Sequence, residues 1–153
     1  MHIEGRTRLS LFDFKIFIIS DIYMEQSNYR PLILVAEDDE SNIKLIKAVI
    51  GKKTEVLWAN NGLKAIELYN ERKADIELIL MDIKMPEKNG LEATKEIREQ
   101  DALIPIIVQT AYAFASDRQK SMDAGASDVL VKPIMSSLFK KTISKYLPNI
   151  VWK

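Results

Sequence analysis

From Pro31 onward, short apolar runs alternate with segments whose apolar residues recur at helical spacing. Leu32-Ile33-Leu34-Val35-Ala36 is a continuous apolar run that ends in acids, the pattern of a strand buried on both faces. Ser41 to Ile50 follows, with Ile43, Ile46, Val49 and Ile50 on one helical face and Gly51 as the stop. Glu55 to Trp58 predicts a short strand, Asn60-Asn61-Gly62 a turn, and Leu63 to Tyr69 a helix that buries Ala65, Ile66 and Tyr69. Leu78 to Met81 predicts the next buried strand, ending at Asp82. Met85-Pro86 and Asn89-Gly90 mark a loop, and Leu91, Thr94 and Ile97 a third helix. Pro105 to Val108 predicts a fourth strand. A helix capped by Ser116 or Asp117 then runs to Gly125. Val129 to Val131 predicts a fifth strand, and Ser136 to Leu147 a last helix burying Leu138, Phe139, Ile143 and Tyr146.

Strand and helix thus alternate through the chain. Strands separated by helices run parallel, because each helix carries the chain back across the sheet, and such crossovers are right-handed. The expected fold is α/β, a flavodoxin-like doubly wound sandwich with a parallel sheet in the order 2-1-3-4-5. The expected organisation is a leader or linker over residues 1–30, one domain over 31–147 and a tail over 148–153.

Composition narrows the chemistry. Lysines plus arginines number 22 and acids number 22, which argues against nucleic acid or a membrane surface as the partner. Cysteine is absent, so disulfide and thiolate chemistry are excluded, and a reducing cytoplasm is the expected location. The one histidine, His2, leaves no imidazole cluster for a metal or a triad. The most membrane-like stretch, Leu9 to Tyr23, is too short to span a bilayer and is interrupted by Asp13, Lys15 and Asp21. It also lacks a signal-peptide cleavage pattern.

In a doubly wound sheet, ligands bind at the carboxyl ends of the strands. The residues that follow each apolar run are therefore the candidates: Glu37, Asp38, Asp39 and Glu40 after the first, Asp82 after the third, Thr110 after the fourth and Lys132 after the fifth. Acids crowded at one edge repel one another, and a divalent cation relieves the conflict. Mg²⁺ suits them, since it takes oxygen ligands and keeps some water. Asp38 and Asp82 fit direct ligation, Glu37 a role through water or in support, and the Lys84 backbone carbonyl a further oxygen. A carboxylate is also a competent nucleophile towards phosphorus, and phosphoryl transfer needs positioning and charge stabilisation. Lys132 and Thr110 offer an ammonium and a hydroxyl for the phosphoryl oxygens. Singly, each residue has a plainer use: Asp39 or Glu40 can cap the following helix, Lys132-Pro133 can be a turn, and Thr110 can be structural. Their joint arrival at one sheet edge favours the chemical reading.

These residues resemble the receiver domains of response regulators. The matching pieces are Ile33 to Glu40, Leu80 to Pro86 with Gly90, Pro105 to Ala111, Asp123 to Ala126, and Val131-Lys132-Pro133. The likeness spans about residues 31–147. It implies that Asp82 is the phosphoacceptor, that Glu37 and Asp38 are the acidic pair, that Thr110 is the switch hydroxyl and Lys132 the phosphate-binding lysine, and that the Lys132–Pro133 peptide is cis. The segment Thr110 to Ala115, followed by Asp117-Arg118, is most similar to receivers at the C-terminus of hybrid histidine kinases. The implied donor is a histidine kinase or a histidine phosphotransfer domain, and the chain is expected to be a lone receiver or a cut from a hybrid kinase. Val129 departs from the family, whose members usually carry Tyr or Phe there and rotate that ring on activation. The output switch is therefore expected to be altered, with Tyr112 a partial substitute or simply a loop aromatic.

Two other classes compete. A phosphohydrolase of the haloacid dehalogenase type also uses Asp, Thr, Lys and Mg²⁺, but its nucleophile follows the first strand in an Asp-x-Asp pattern with a nearby Thr that this chain lacks. A binding module, either a flavin carrier or a receiver that is never phosphorylated, would want a donor-rich loop after the first strand or would lack Asp82 or Lys132. The leader, rich in Leu, Phe and Ile between Leu9 and Ile19, is too apolar for a solvated linker and is expected to pack against a partner or a second copy as a homodimer.

Overall fold

A computed structural model describes residues 10–152, without the side chains of residues 23–27; His2 and Leu9 lie outside the described part. The chain opens with helix α1 (Leu11–Asn28), whose N-cap Ser10 forms a reciprocal capping box with Asp13. The alternating body follows: β1 (Leu32–Ala36), α2 (Glu40–Ile50), β2 (Glu55–Ala59), α3 (Gly62–Arg72), β3 (Ile76–Asp82), α4 (Gly90–Gln100), β4 (Ile106–Thr110), α5 (Ala115–Asp123), β5 (Asp128–Val131) and α6 (Ser136–Tyr146).

The five strands pair in parallel in the order β2-β1-β3-β4-β5. This is the flavodoxin-like sandwich that the alternation predicts. Successive residues of each strand feed two cores. Ile33, Val35, Leu78, Leu80 and Ile107 meet α2 and α6 through Ile46, Phe139 and Ile143. Leu34, Ala36, Ile79, Met81, Ile106 and Val108 meet α3 and α4 through Ala65, Tyr69, Ala93 and Ile97. Burial on both faces explains why these strands are continuous apolar runs. The tail belongs to the first of these cores: Ile150 and Trp152 pack against it, and the Trp152 indole donates to Ser144 Oγ at 2.8 Å.

Three details differ from the sequence reading. Leu138 is 50% exposed; the buried face of α6 is Phe139, Thr142 and Ile143, with Tyr146 half-buried beside it. Leu138 sits one step off that face in the helix. Neither Ser116 nor Asp117 caps α5: the helix starts earlier, at Ala115, with Phe114 as an N-cap that offers no side-chain bond. Asp117 then lies in the first turn, where an acid still complements the helix dipole. β3 begins at Ile76, two residues before the apolar run, because Ile76 itself is buried and pairs with Leu32.

Gly90 brings α4 against the end of β3. Its N–H donates to the Ile83 carbonyl at 2.7 Å, and any β-carbon there would overlap the Asp82 carbonyl. Gly90→Ala is therefore expected to destabilise the fold by about 1–3 kcal/mol, read as a lowered urea midpoint with an unchanged slope. An unaltered midpoint would mean that α4 shifts freely.

Candidate functional site

The sheet's order reverses between β1 and β3, and the crevice at that point opens at the strands' carboxyl ends. Glu37 stands immediately after β1. Its N–H donates to the Ala59 carbonyl at 2.9 Å, and its carboxylate is almost fully buried at 1% exposure. Asp38 follows and is exposed. Asp39 turns away to cap α2, accepting from the Ser41 and Asn42 N–H groups at 2.7 and 3.0 Å. Those bonds hold its carboxyl below the usual carboxylate range. The helix cap thus falls to Asp39, leaving Glu37 and Asp38 free for the crevice.

Asp82 ends β3 and is 6% exposed. Lys132 follows β5, anchored by its N–H to the Thr110 carbonyl at 2.7 Å, and its peptide bond to Pro133 is cis. Its ammonium bridges the two buried acids, 2.8 Å from Glu37 Oε2 and 3.2 Å from Asp82 Oδ1. Glu37, Asp38 and Asp82 each present a carboxylate oxygen within 4.8 Å of the others. Ligands of an octahedral Mg²⁺ at about 2.0–2.1 Å lie roughly 3–4 Å apart, so a small closure of this cluster accommodates the ion. All three donors are hard oxygens, which suits Mg²⁺ and not a thiophilic metal.

Burial, then the charge of Glu37, pushes the Asp82 carboxyl up to about 6, against the opposing pull of Lys132. For Lys132, burial works to lower the pKa, but the bond to Glu37 and the charge of Asp82 outweigh it and hold the ammonium above its ordinary range.

Thr110 ends β4, buried, and its Oγ1 accepts from the Tyr112 N–H at 3.1 Å. The hydroxyl is thus engaged by its own loop. Tyr112 is exposed and stacks on Phe114 with ring centroids 6.4 Å apart. Val129 is buried in β5 opposite Val108, and Lys84 is exposed on the loop after β3.

Two neighbours of the site escape a reading of strand tips. Trp58, inside β2, donates its indole N–H to the Glu37 carbonyl at 2.8 Å and so fixes the acid's backbone. Its sequence signal is a ring with a polar handle in the strand beside β1. Gln109 pairs in register with Asp82, and its buried Oε1 has no hydrogen-bond partner among the described residues. An amide inside an otherwise apolar strand was the available signal.

The Asp82 shift sets a pH dependence. Its carboxyl titrates near 6 in the fold against an ordinary 3.8, so ionisation opposes folding. The penalty is absent below the ordinary value and complete above the folded one. Without divalent cations, Asp82→Asn is expected to exceed the wild type in stability by about 1–3 kcal/mol near pH 8. The gain should vanish near pH 4, as measured by denaturant titrations across pH; a gain constant with pH would contradict it.

The pattern of the response regulator receiver domain matches residues 33–144. A polar-differentiation response regulator, DivK, of Brucella anthropi is 39% identical over 118 residues, covering 75% of this chain and 94% of the relative. Hybrid signal transduction histidine kinase I of Dictyostelium discoideum is 41% identical over 120 residues, which cover 73% of this chain and 7% of that much longer protein. Among solved structures, the receiver domain of the sensor histidine kinase PA1611 of Pseudomonas aeruginosa, with a magnesium ion coordinated in its active-site cleft, superposes with a TM-score of 0.72 at 29% identity. That superposition covers 78% of this chain and 99% of the Pseudomonas chain. With the family pattern matched over most of its length and the strand order of the fold, this chain belongs to the response regulator receiver domain family of two-component phosphorelays.

Proposed function

We propose that Asp82 accepts a phosphoryl group from a phosphohistidine on a histidine kinase or a histidine phosphotransfer domain, and that the chain acts in the cytoplasm either alone or as the receiver of a hybrid histidine kinase. The observation that carries this reading is the Lys132 ammonium, within bonding distance of both Glu37 and Asp82 in a cluster of three converging carboxylates.

Asp38 and Asp82 would hold Mg²⁺ directly, with Glu37 in support through water and the Lys84 carbonyl as a further oxygen. When bound, the ion supplies charge neutralisation for the carboxylates and for the phosphoryl oxygens. An Asp82 oxygen attacks phosphorus in line, the P–N bond breaks, and the electron pair leaves on the imidazole nitrogen, which takes a proton. Lys132 turns its charge from Asp82 to the phosphoryl oxygens, while its bond to Glu37 keeps it in place. Thr110 releases the Tyr112 N–H and donates its own hydroxyl to a phosphoryl oxygen. The loop from Ala111 to Phe114 then moves with it, and the face built by α5 and β5 changes state. With Val129 in place of a ring, Tyr112 and its stacked partner Phe114 are the aromatic groups in a position to report the change.

Intact mass after incubation with acetyl phosphate and Mg²⁺ tests the acceptor. One added phosphoryl group is expected in the wild type, and none in Asp82→Asn or in excess chelator. Lys132→Ala should slow phosphorylation by about a hundredfold. Equal labelling of Asp82→Asn, or rapid multiple turnover of phosphate esters, would overturn the assignment. Thr110→Val separates chemistry from switching: it should still accept phosphate, but the Tyr112 amide resonance should no longer shift on phosphorylation. A wild-type-like shift would remove Thr110 from the switch.

A further inference from the structure

The receiver's own body leaves α1 unexplained. Every large apolar side chain from Leu11 to Ile22 is open to solvent, between 42% (Ile18) and 76% (Leu11). An exposed patch of that extent marks an interaction surface. The helix also needs support, because eighteen residues rich in Ile and Phe make a poor helix by themselves.

We propose that α1 pairs with α1 of a second copy of this chain, the two helices running parallel. Phe12, Ile16 and Ile19 recur at spacings of four and three, which forms a seam along one side of the helix. In the sequence the same spacing continues to Leu9 before it and Tyr23 after it. Asp13 flanks this seam on one side and Lys15 on the other. In a parallel two-fold pair, each flank faces the opposite flank of the other helix, so Asp13 meets the Lys15 side at both edges. An antiparallel pair would set the Asp13 flank against itself. The charges therefore complement a parallel second copy.

Lipid fits the same helix less well. No described helix is long and apolar enough to cross a membrane. A surface-lying helix needs one apolar face and a basic polar face, whereas α1 is apolar nearly all round and its described charges are Asp13, Lys15 and Asp21. A second row, Leu11, Ile18 and Ile22, lies outside the seam and allows two pairs to join as a four-helix bundle.

The junction suits such an assembly. The Tyr29 hydroxyl bonds the Glu77 carboxylate, and the Arg30 guanidinium donates to the Gly51 and Thr54 carbonyls at 2.5 and 2.6 Å. These bonds fasten the end of α1 to the amino ends of the strands, opposite the Asp82 crevice. A parallel pair holds two receivers side by side with both crevices open.

Sedimentation equilibrium of the full chain tests the pairing. A dimer or tetramer mass is expected for the wild type, and a monomer for the triple variant Phe12→Ser, Ile16→Ser, Ile19→Ser, whose receiver should keep its near-UV circular dichroism. Asp13→Lys should weaken association by about threefold to tenfold, and adding Lys15→Asp should restore it. Direction is read by Phe12→Cys in this cysteine-free chain: an oxidised parallel pair crosslinks to itself, whereas an antiparallel pair overlapped along the seam sets position 12 beside Ile19 of the other helix and does not. A monomeric wild type, association that survives the triple substitution, or a monomer that floats with phosphatidylcholine–phosphatidylglycerol vesicles would each overturn the proposal.

Discussion

The structure turns on one charge balance: a single ammonium held between two buried carboxylates at the end of a parallel sheet. Glu37 and Asp82 have left water, and burial together with the charge of Glu37 raises the cost of ionising Asp82. Lys132 offsets that cost by touching both. A buried carboxylate stripped of such a partner is strongly destabilising, so β5 and the turn after it must deliver Lys132 to this spot. The sheet order accomplishes that, because β1 and β3 are neighbours and β5 lies two strands beyond. The pair remains unequal. Asp82 still sits well above its ordinary pKa, so one further cation is electrostatically welcome beside it, where Asp38 and Glu37 already converge.

The surrounding backbone serves the same balance. Asp39 takes the helix cap and so releases Asp38 to face the crevice. Trp58 pins the Glu37 carbonyl, which leaves the Glu37 carboxylate free for Lys132 and for the Asp39 N–H at 3.1 Å. Gly90 lets α4 press against the Asp82 backbone without a β-carbon between them. None of these residues carries the chemistry, yet each narrows where the acids can go.

Much of this was legible in the sequence, for a physical reason. Strands buried on both faces are unbroken apolar runs, so their ends are visible as the first polar residue, and in a parallel sheet those ends share one edge. Glu37, Asp38, Asp82, Thr110 and Lys132 are all found there. What escaped depends on contacts rather than on position. The bond from Trp58 crosses between strands and leaves no spacing to read. Leu138 lies one step from the buried face of α6, a difference of rotation that periodicity does not resolve when Phe139 stands next to it. The start of α5 follows from its extended entry at Phe114, and a nearby Ser or Asp suggested a cap that the chain does not use. The leader's composition announced burial without naming the partner, because a helix apolar nearly all round has no single face to read.

On the proposed function, Val129 in place of a ring bears on what the same site would transmit. In the resting arrangement, Thr110 Oγ1 is an acceptor for its own loop. Thr110 gives up that contact as it swings to donate across the crevice, so its recruitment and the release of Tyr112 would be one event. A buried Val packed opposite Val108 has no ring to turn into space that Thr110 vacates. Motion started at Thr110 would therefore be left to the exposed Tyr112–Phe114 stack, which sits at the mouth of α5 outside the packed core. The core is close-packed and resists such shifts, while a solvent-facing loop does not. On the proposed function, the chemistry at Asp82 and the signal it would emit are thus separable: the first would rest on strand ends that the sheet fixes, the second on an exposed loop outside the sheet.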